Sequence, residues 1–568
     1  MSALRDFWAL ARPFWWRRDN YLAWLLLASI IGIGLLLVQL NVWFAHWNKA
    51  FYDALGAFNT PLIYPLLGKY CLLVAGAVVM TVYVDWLRKL LILRWRSFMT
   101  ESLTAEWLEE NAFYRLGLRG EPDNPDQRIA EDVDLLVSDS IDLLRSFISA
   151  VARIASFSVL LWSLSSDLVV PFADPSLRIP GYLLWFALIY AVCGTYVADR
   201  IGHVLQGLNY EQQKREADLR ATLLRRRDHA EQIALHGGGS HEQQRIMQRF
   251  GAIASNWRAL MNRERTLGFF TAGFNRINGL VPIFAALPSF MERKITLGDL
   301  MQIETAFGQV ASALSWFIRA YGAIAKWRAT VLRLTQFRAA IQAARKDARP
   351  LLRGDRLAVE DLALSRPDGQ TLLAGLSFSV APGRWVRLNG RSGLGKSTLL
   401  RSLAGLWPHH QGQLQLPPGR CLFLPQQPYM ATDSLAAVLA YPALELASPD
   451  VLQALLARVG LAHLQSRLDE VAEWSRVLSG GEQQRLAIAR AMLQRPDCLL
   501  MDEATSQIDD QGALALLREL RVCLPHATLV SITHQGALAD LFDHEIDLQH
   551  AADDNMHTRH QTALACVA

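Results

Sequence analysis

At 568 residues the chain is long enough for two or more domains. Hydrophobic residues make up 51% and charged residues only 19%, and the apolar ones crowd before position 330, which argues against a purely soluble protein. The formal charge of +4 is spread as a membrane-topology signal and makes no case for a nucleic-acid partner.

Met1 to Asn20 lacks an apolar core and a small-residue cleavage site, so the first apolar stretch is expected to stay as an uncleaved anchor. Six stretches of about twenty residues are candidate membrane spans: Tyr21–Trp43, Tyr70–Trp86, Phe147–Leu164, Gly181–Ala198, Gly268–Phe290 and Leu300–Ala325. The third, fifth and sixth carry charges and are the weakest by hydropathy. A soluble helical domain is the plainer alternative. Arg12, Arg17 and Arg18 precede span one; Arg88, Lys89, Arg94 and Arg96 follow span two. Arg200, Lys214, Arg215, Arg220 and Arg225 to Arg227 lie between spans four and five, and Lys326, Arg328 and Arg333 follow span six. Connections 45–61, 165–180 and 288–298 are short and, apart from Arg293 and Lys294, poor in basic residues. All the basic segments fall on one side if both termini are cytoplasmic.

Ionisable residues within spans are costly and usually face a partner or a wet path. Arg153 and Arg276 sit about a dozen residues from the outer ends of their spans, near mid-membrane at ~1.5 Å per residue, and Glu304 lies about two turns into span six. These three either line a polar solute cavity or form an internal pair that only fixes helix packing.

Two connections of about sixty residues are helical in pattern. One contains Asn124-Pro125-Asp126-Gln127, where Pro125 suits a first helical turn with Asn124 as its cap. The other contains Ala230-Glu231-Gln232-Ile233-Ala234-Leu235-His236-Gly237-Gly238-Gly239. Six cysteines, at 71, 193, 421, 498, 523 and 566, show no metal spacing and no expected disulfide, and the histidines are too scattered for a metal site.

Further on, Gly390-Arg391-Ser392-Gly393-Leu394-Gly395-Lys396-Ser397 matches a phosphate-binding loop, a pattern that chance would place in roughly one chain in fifty of this length. It follows the short apolar strand Trp385–Leu388, and Thr398 to Leu406 continues as an apolar-periodic helix, which is the setting the loop requires. Backbone N–H groups would cradle ATP phosphates, Lys396 would neutralise them, and Ser397 would sit on Mg²⁺. Leu478-Ser479-Gly480-Gly481-Glu482-Gln483-Gln484-Arg485 is a second anion-attracting motif, with bare glycine amides and Ser479 at a helix start. The apolar strand Cys498–Met501 ends in Asp502, placed for the Mg²⁺ shell, and Glu503, placed to orient or deprotonate water; alone they would read as ordinary surface acids. Leu529–Thr533 leads to His534, a possible γ-phosphate sensor.

These motifs resemble the nucleotide-binding domain of ATP-binding cassette (ABC) transporters over residues 355–550. The resemblance implies that Gln426 is the Q-loop residue linking Mg²⁺ and water to the membrane domain, and that Ser506-Gln507-Ile508-Asp509 is the D-loop, departing from the usual SALD. The family stacks an aromatic on the adenine from a strand ahead of the phosphate loop. Here Leu362 to Gly369 has none, so either Arg366 stacks instead or base selectivity is loose. In the family the signature of one cassette closes the phosphate loop of another. One chain carries one of each, which implies a homodimer. The NPDQ and AEQIALHGGG segments resemble peroxisomal ABC subfamily D half-transporters, and Asn41 to Leu55 resembles the bacterial BacA/SbmA type.

The expected fold class is thus a six-helix transmembrane domain of the exporter-type ABC fold (1–340), a linker (341–354), an α/β P-loop nucleotide-binding domain (355–550) and a disordered tail (551–568). The expected function is ATP-driven movement of hydrophilic solutes or peptides, as uptake across a bacterial inner membrane with both termini cytoplasmic. Transport of acyl-CoA or fatty acids, export, and a cassette ATPase that moves no solute are the alternatives. The expected nucleotide ligands are Gly390 to Thr398 with Ser479, Gly480, Gly481 and Glu482. Glu503, His534 and Gln426 are expected to act in catalysis, and Ser397, Gln426 and Asp502 to hold the metal.

Overall fold

The computed structural model describes residues 2–120, 124–165, 181–347, 349, 351–443 and 445–548; the outer connection 165–180 (beyond Ser165) and the tail expected to be disordered lie outside them. Two compact units emerge: Met1–Leu103 with Asn124–Gln336, and Thr104–Asp123 with the chain from Phe337 onward.

Among the described residues the regular structure of the first unit is all helix. Helix α1 (Ser2–Trp15) is followed by α2 (Tyr21–Gly56) and α3 (Thr60–Leu108). A short helix α4 (Ala112–Arg119) belongs to the second unit, and the chain goes on with α5 (Val133–Ser165), α6 (Tyr182–Asp228), α7 (Gly239–Met291) and α8 (Leu297–Lys346), whose last turns from Phe337 also lie in the second unit. At ~1.5 Å per residue, the 53 residues of α7 and the 50 of α8 make helices about 75–80 Å long. A hydrocarbon core of ~30 Å takes up less than half of that. Among the described residues, α2, the α3–α4 stretch, the helix through α5 and α6 are apolar enough to pass as spans by composition alone. Helices α7 and α8 have the length and not the hydropathy, because charged residues interrupt their apolar runs.

Two apolar clusters hold this unit. In one, Phe14 stacks on Trp95 (centroids 5.7 Å apart, planes 11° apart) amid Leu91, Leu136, Ile141 and Leu334. In the other, Phe157, Leu161 and Leu183 meet Ile303 and Phe307. The Asn124-Pro125 start turns out differently from its sequence reading. Pro125 does open a helix, but Asn124 takes a left-handed conformation (φ 55°) and its side chain makes no capping bond. A wide turn, Arg128–Asp132, then precedes α5. That turn delivers Asp132, only 3% exposed, onto α8. Its two oxygens accept from Arg333 Nε (2.8 Å) and Nη2 (2.6 Å), and Arg128 adds a third bond at 2.8 Å. A buried carboxylate is tolerated when it is paired this fully.

Among the described residues the second unit has two main sheets and a two-stranded antiparallel ribbon of Thr432–Ser434 with Val471–Glu473. In chain order the strands of the two main sheets are β1 (Leu352–Arg353), β2 (Leu357–Ser365), β3 (Thr371–Val380), β4 (Trp385–Asn389), β5 (His410–Leu416), β6 (Cys421–Leu424), β7 (Cys498–Asp502), β8 (Thr528–Ile532) and β9 (His544–Asp547). One sheet runs β1-β5-β2-β3, and a parallel one runs β9-β4-β8-β7-β6. Strands β7 and β8 are buried at every residue, as the near-continuous apolar runs of a covered parallel sheet require. Helices α9 (Lys396–Leu403), α10 (Gly480–Gln494) and α11 (Asp510–Cys523) supply the cover. The elbow Thr104–Asp123 belongs here through Arg115, 5% exposed, which donates to the carbonyls of Ala344 (3.3 Å) and Gly405 (3.5 Å). Arg338 clamps Glu106 with two bonds of 2.8 and 3.0 Å. The five described cysteines are free, as expected.

Candidate nucleotide site

Strand β4 ends at Asn389 and the chain turns through the glycine loop into α9, which begins at Lys396, two residues earlier than the sequence periodicity suggests. Gly395 caps α9 with φ 98°, and a Cβ there would lie 3.4 Å from Leu372, so the loop is shaped for glycine. Lys396 is 6% exposed; its ammonium donates to the carbonyls of Gly390 and Arg391 (3.4 Å) and lies 3.4 Å from His534 Nε2. Burial pushes its pKa down, and Glu503 and Asp502 oppose that. A lysine folded onto its own loop carbonyls is held where an arriving phosphate can take over those bonds.

The end of β7 brings the acids to the same place. Ser397 Oγ donates to Asp502 Oδ1 at 3.0 Å. Glu503 leaves the strand in a left-handed conformation (φ 48°), uncommon for a non-glycine residue and frequent at working sites. Its Oε2 accepts from Gln426 Nε2 at 2.9 Å, and its Oε1 lies 3.5 Å from His534 Nε2. Lys396, Ser397, Gln426, Asp502, Glu503 and His534, taken from 139 residues of sequence, thus converge on one point. A cavity of about 410 Å³ connects Ser392, Gly393, Gly395, Lys396, Ser397, Thr398, Glu503 and His534.

Asp502 carries a testable consequence. Burial raises its pKa, ahead of the opposing bond from Ser397. A raised acid contributes stability below its unfolded pKa of ~3.9, and that contribution is lost as pH rises through the folded value, so the carboxylate is a net cost at neutral pH. Asp502→Asn keeps an acceptor for Ser397 and is expected to raise the first thermal transition of the nucleotide-free protein by about 2–4 °C at pH 7.5. The gain should vanish on acidification; a lower transition at pH 7.5 would contradict it.

The signature forms its own local structure. Ser479 caps α10 reciprocally with Glu482: the Glu482 amide donates to Ser479 Oγ (3.4 Å), and the Ser479 amide donates to Glu482 Oε2 (2.8 Å). The other Glu482 oxygen lies 3.0 Å from His463 Nε2. Burial pushes the Glu482 pKa up, and the Ser479 and His463 contacts outweigh it, so it is held below the usual carboxylate range. One oxygen holds Ser479 and the other faces His463, which gives Glu482 a positioning geometry. A Cβ on Gly480 would come 1.4 Å from Gln507 Oε1, so the D-loop glutamine that departs from SALD packs directly on the signature.

Three residues here escaped the sequence reading. Gln484, 1% exposed, donates to the carbonyls of Gln426 (3.2 Å) and Glu503 (3.4 Å) and to Ser506 Oγ (3.2 Å), and accepts from the Gln507 amide (2.9 Å). One side chain ties the Q-loop, the strand-end acid and the D-loop to the signature helix. Arg490, one and a half turns on, donates to the carbonyls of Val438 (2.6 Å) and Tyr429 (2.7 Å) and faces the Tyr441 ring. Burial pushes its pKa down to about 10, so it stays charged at neutral pH. The third, Trp407, joins Arg366, Pro367 and Leu372 on the remaining wall of the nucleotide cavity.

A parallel-sheet ATPase cassette whose phosphate loop, acids and signature lie in one chain with long apolar helices defines an ATP-driven membrane transporter. Two family models match: ABC transporter transmembrane region 2 over residues 17–291 and ABC transporter over residues 373–506. The chain is 34% identical to the inner membrane ABC transporter ATP-binding protein YddA of Escherichia coli K12, over 95% of this chain and 96% of that one. It is 29% identical to the chloroplastic ABC transporter D family member 2 of Arabidopsis thaliana, over 94% and 84%. The fold matches a bacterial Atm1-family ABC exporter with ATP bound, with a TM-score of 0.74 and 20% identity over 93% of this chain and 94% of that one. The chain belongs to the ABC transporters, as a half-transporter of the subfamily D type that couples ATP hydrolysis to transport.

Proposed function

We propose that two copies of this chain form the working transporter in a bacterial inner membrane, with both termini cytoplasmic, and that it takes up hydrophilic solutes or peptides. In this reading residues 1–340 form the membrane domain and 355–550 the cassette. Gly390 to Thr398 hold the ATP phosphates, and Ser479, Gly480 and Gly481 of each chain complete the site of the other. Glu503 orients and deprotonates the attacking water, and Gln426 and His534 hold Glu503 and the γ-phosphate end in register. The hydroxyl of Ser397, the carboxylate of Asp502 and the amide oxygen of Gln426 are hard oxygen donors suited to Mg²⁺, which supplies charge neutralisation at the phosphates when bound.

The cargo reading rests on polar groups between α7 and α8. Glu304 is half-buried against Gly279, where a Cβ would lie 3.9 Å from its Oε1, one turn from the exposed Arg276. On the same two helices Gln302 Nε2 and Asn278 Oδ1 are buried with no hydrogen-bond partner among the described residues. A half-buried carboxylate one turn from an exposed guanidinium offers charge and hydrogen bonds to a hydrated or amide-bearing cargo, which an apolar cargo would leave unused. Arg153, half-buried on α5, would add a further cation to the path. The relation to subfamily D keeps acyl-CoA as the second reading. Reconstituted protein with Glu304→Lys is expected to hydrolyse ATP and fold as before while labelled-peptide accumulation drops at least tenfold. Loss of the folded protein would instead assign Glu304 to helix packing. Acyl-CoA accumulation without peptide accumulation by the unaltered protein would favour the second reading.

A further inference from the structure

Helices α6 and α7 pack along each other, and the end of one and the start of the other enclose a cavity of about 710 Å³. Arg225, Arg226 and His229 line it at the end of α6, and Glu242, Arg245 and Arg249 from the first turns of α7. Arg226 is compensated: its Nη1 donates to the Thr222 carbonyl at 2.7 Å, and its Nη2 pairs with Glu242. Its Nε is buried with no hydrogen-bond partner among the described residues. No ion pair among the described residues joins Arg225, Arg245 or Arg249 to an acid. Four guanidiniums against one carboxylate leave three positive charges on one cavity. An ordinary solvated basic face mixes its signs, as Arg215 with Glu211 and Arg227 with Asp228 do elsewhere on α6. Like charges gathered without acids repel one another, and a bound anion relieves that cost.

Guanidinium forks match phosphate oxygens, and the volume suits a small ligand. No Phe, Tyr or Trp lines the cavity, so a nucleobase finds no broad ring to stack on. A lipid headgroup is out of reach. Ala198 closes the apolar run of α6, and Arg225 lies roughly 40 Å further along the same unbroken helix. The polar layer of a bilayer is less than about 10 Å deep on each side. We propose that this cavity binds a compact soluble polyphosphate through Arg225, Arg245 and Arg249, with Arg226 kept in place by Glu242. The anion bridges α6 and α7 across the turn that joins them, and its source is the cytoplasm in the topology proposed above. The site shares no residue with the ATP site and is independent of cargo and direction.

Calorimetric titration of the full-length protein in detergent with inorganic tripolyphosphate tests it, at low salt and in EDTA. The glycine loop accepts the same probe, so the titration is made on the Lys396→Ala protein, where one tripolyphosphate per chain should still bind. Arg245→Gln with Arg249→Gln in that background should weaken it by at least about tenfold, whereas Arg245→Lys with Arg249→Lys should lose less. With Lys396 intact, the glutamine pair should bind ATP as the unaltered protein does, which establishes that it folds. In competition at this cavity ATP should displace the probe no better than its three phosphates allow, within about tenfold of tripolyphosphate itself. No binding to the Lys396→Ala protein overturns the site, as does unchanged affinity in the glutamine pair. Affinity no greater than for sulfate at equal ionic strength also overturns it. ATP displacing the probe more than about tenfold better reassigns the cavity to a nucleotide, and displacement by nanodiscs of anionic lipid reassigns it to a headgroup; either result overturns the proposal.

Discussion

Glu503→Gln is expected to lower ATP turnover by about 10³-fold, within the range for loss of a positioned general base, while ATP binding persists. The substitution keeps an acceptor for the 2.9 Å bond from Gln426 and a neighbour for His534, so the constellation should remain assembled. What disappears is the carboxylate's capacity to take a proton from water. Without hydrolysis the two cassettes of the dimer should stay closed around ATP, seen as ATP-dependent, EDTA-reversible protection from limited proteolysis in detergent. Rapid turnover in this variant would move the base to another residue; loss of ATP binding would mean that Glu503 holds the loop together instead.

Ser479→Arg carries an effect of similar size from a residue that shares no bond with Lys396. The serine caps α10 through Glu482 and is exposed to whatever closes on it, while Gly480 beyond it packs on Gln507. An arginine there blocks that approach by volume. Hydrolysis should fall by at least about 10²-fold, the scale of losing an electrostatic clamp on the phosphates, while Lys396 of the same chain still binds ATP. The cap itself contributes only about 1 kcal/mol, so folding should survive. A control at Glu482 separates the two roles: Glu482→Gln weakens the cap and leaves the approach open, and should cost far less activity.

Much of this cassette was legible in the sequence because its motifs are contiguous. The glycine loop, LSGGEQQR and the strand-end Asp502-Glu503 each occupy a few consecutive residues whose local structure follows from strand, turn and cap chemistry. What stayed illegible depends on distant pairing. Gln484 looks like one polar residue of a helix until the fold brings the carbonyls of Gln426 and Glu503, 58 and 19 residues away, onto its amide. Trp407 lies 42 residues past Ser365 and after the phosphate loop, whereas the family's stacking aromatic lies ahead of it. Asp132 seemed part of a helix start, yet its partner Arg333 is 201 residues on. The weak hydropathy of α7 and α8 has a similar source: helices of this length carry polar stretches inside the same continuous helix as their apolar ones.

Complementation tests the claim that each signature serves the other chain. Lys396→Ala removes the phosphate-loop lysine and Ser479→Arg removes the signature, so homodimers of either variant should be inactive. Co-expressed with different affinity tags and purified through both, the mixed dimer would contain one fully disabled site and one intact site. The intact site pairs the phosphate loop of the Ser479→Arg chain with the signature of the Lys396→Ala chain. ATP hydrolysis is expected to return in the mixed dimer, up to about half the wild-type rate per dimer for one of two equivalent sites. Mixed dimers as inactive as their parents, while each parent chain stays folded and the Ser479→Arg chain binds ATP, would contradict it.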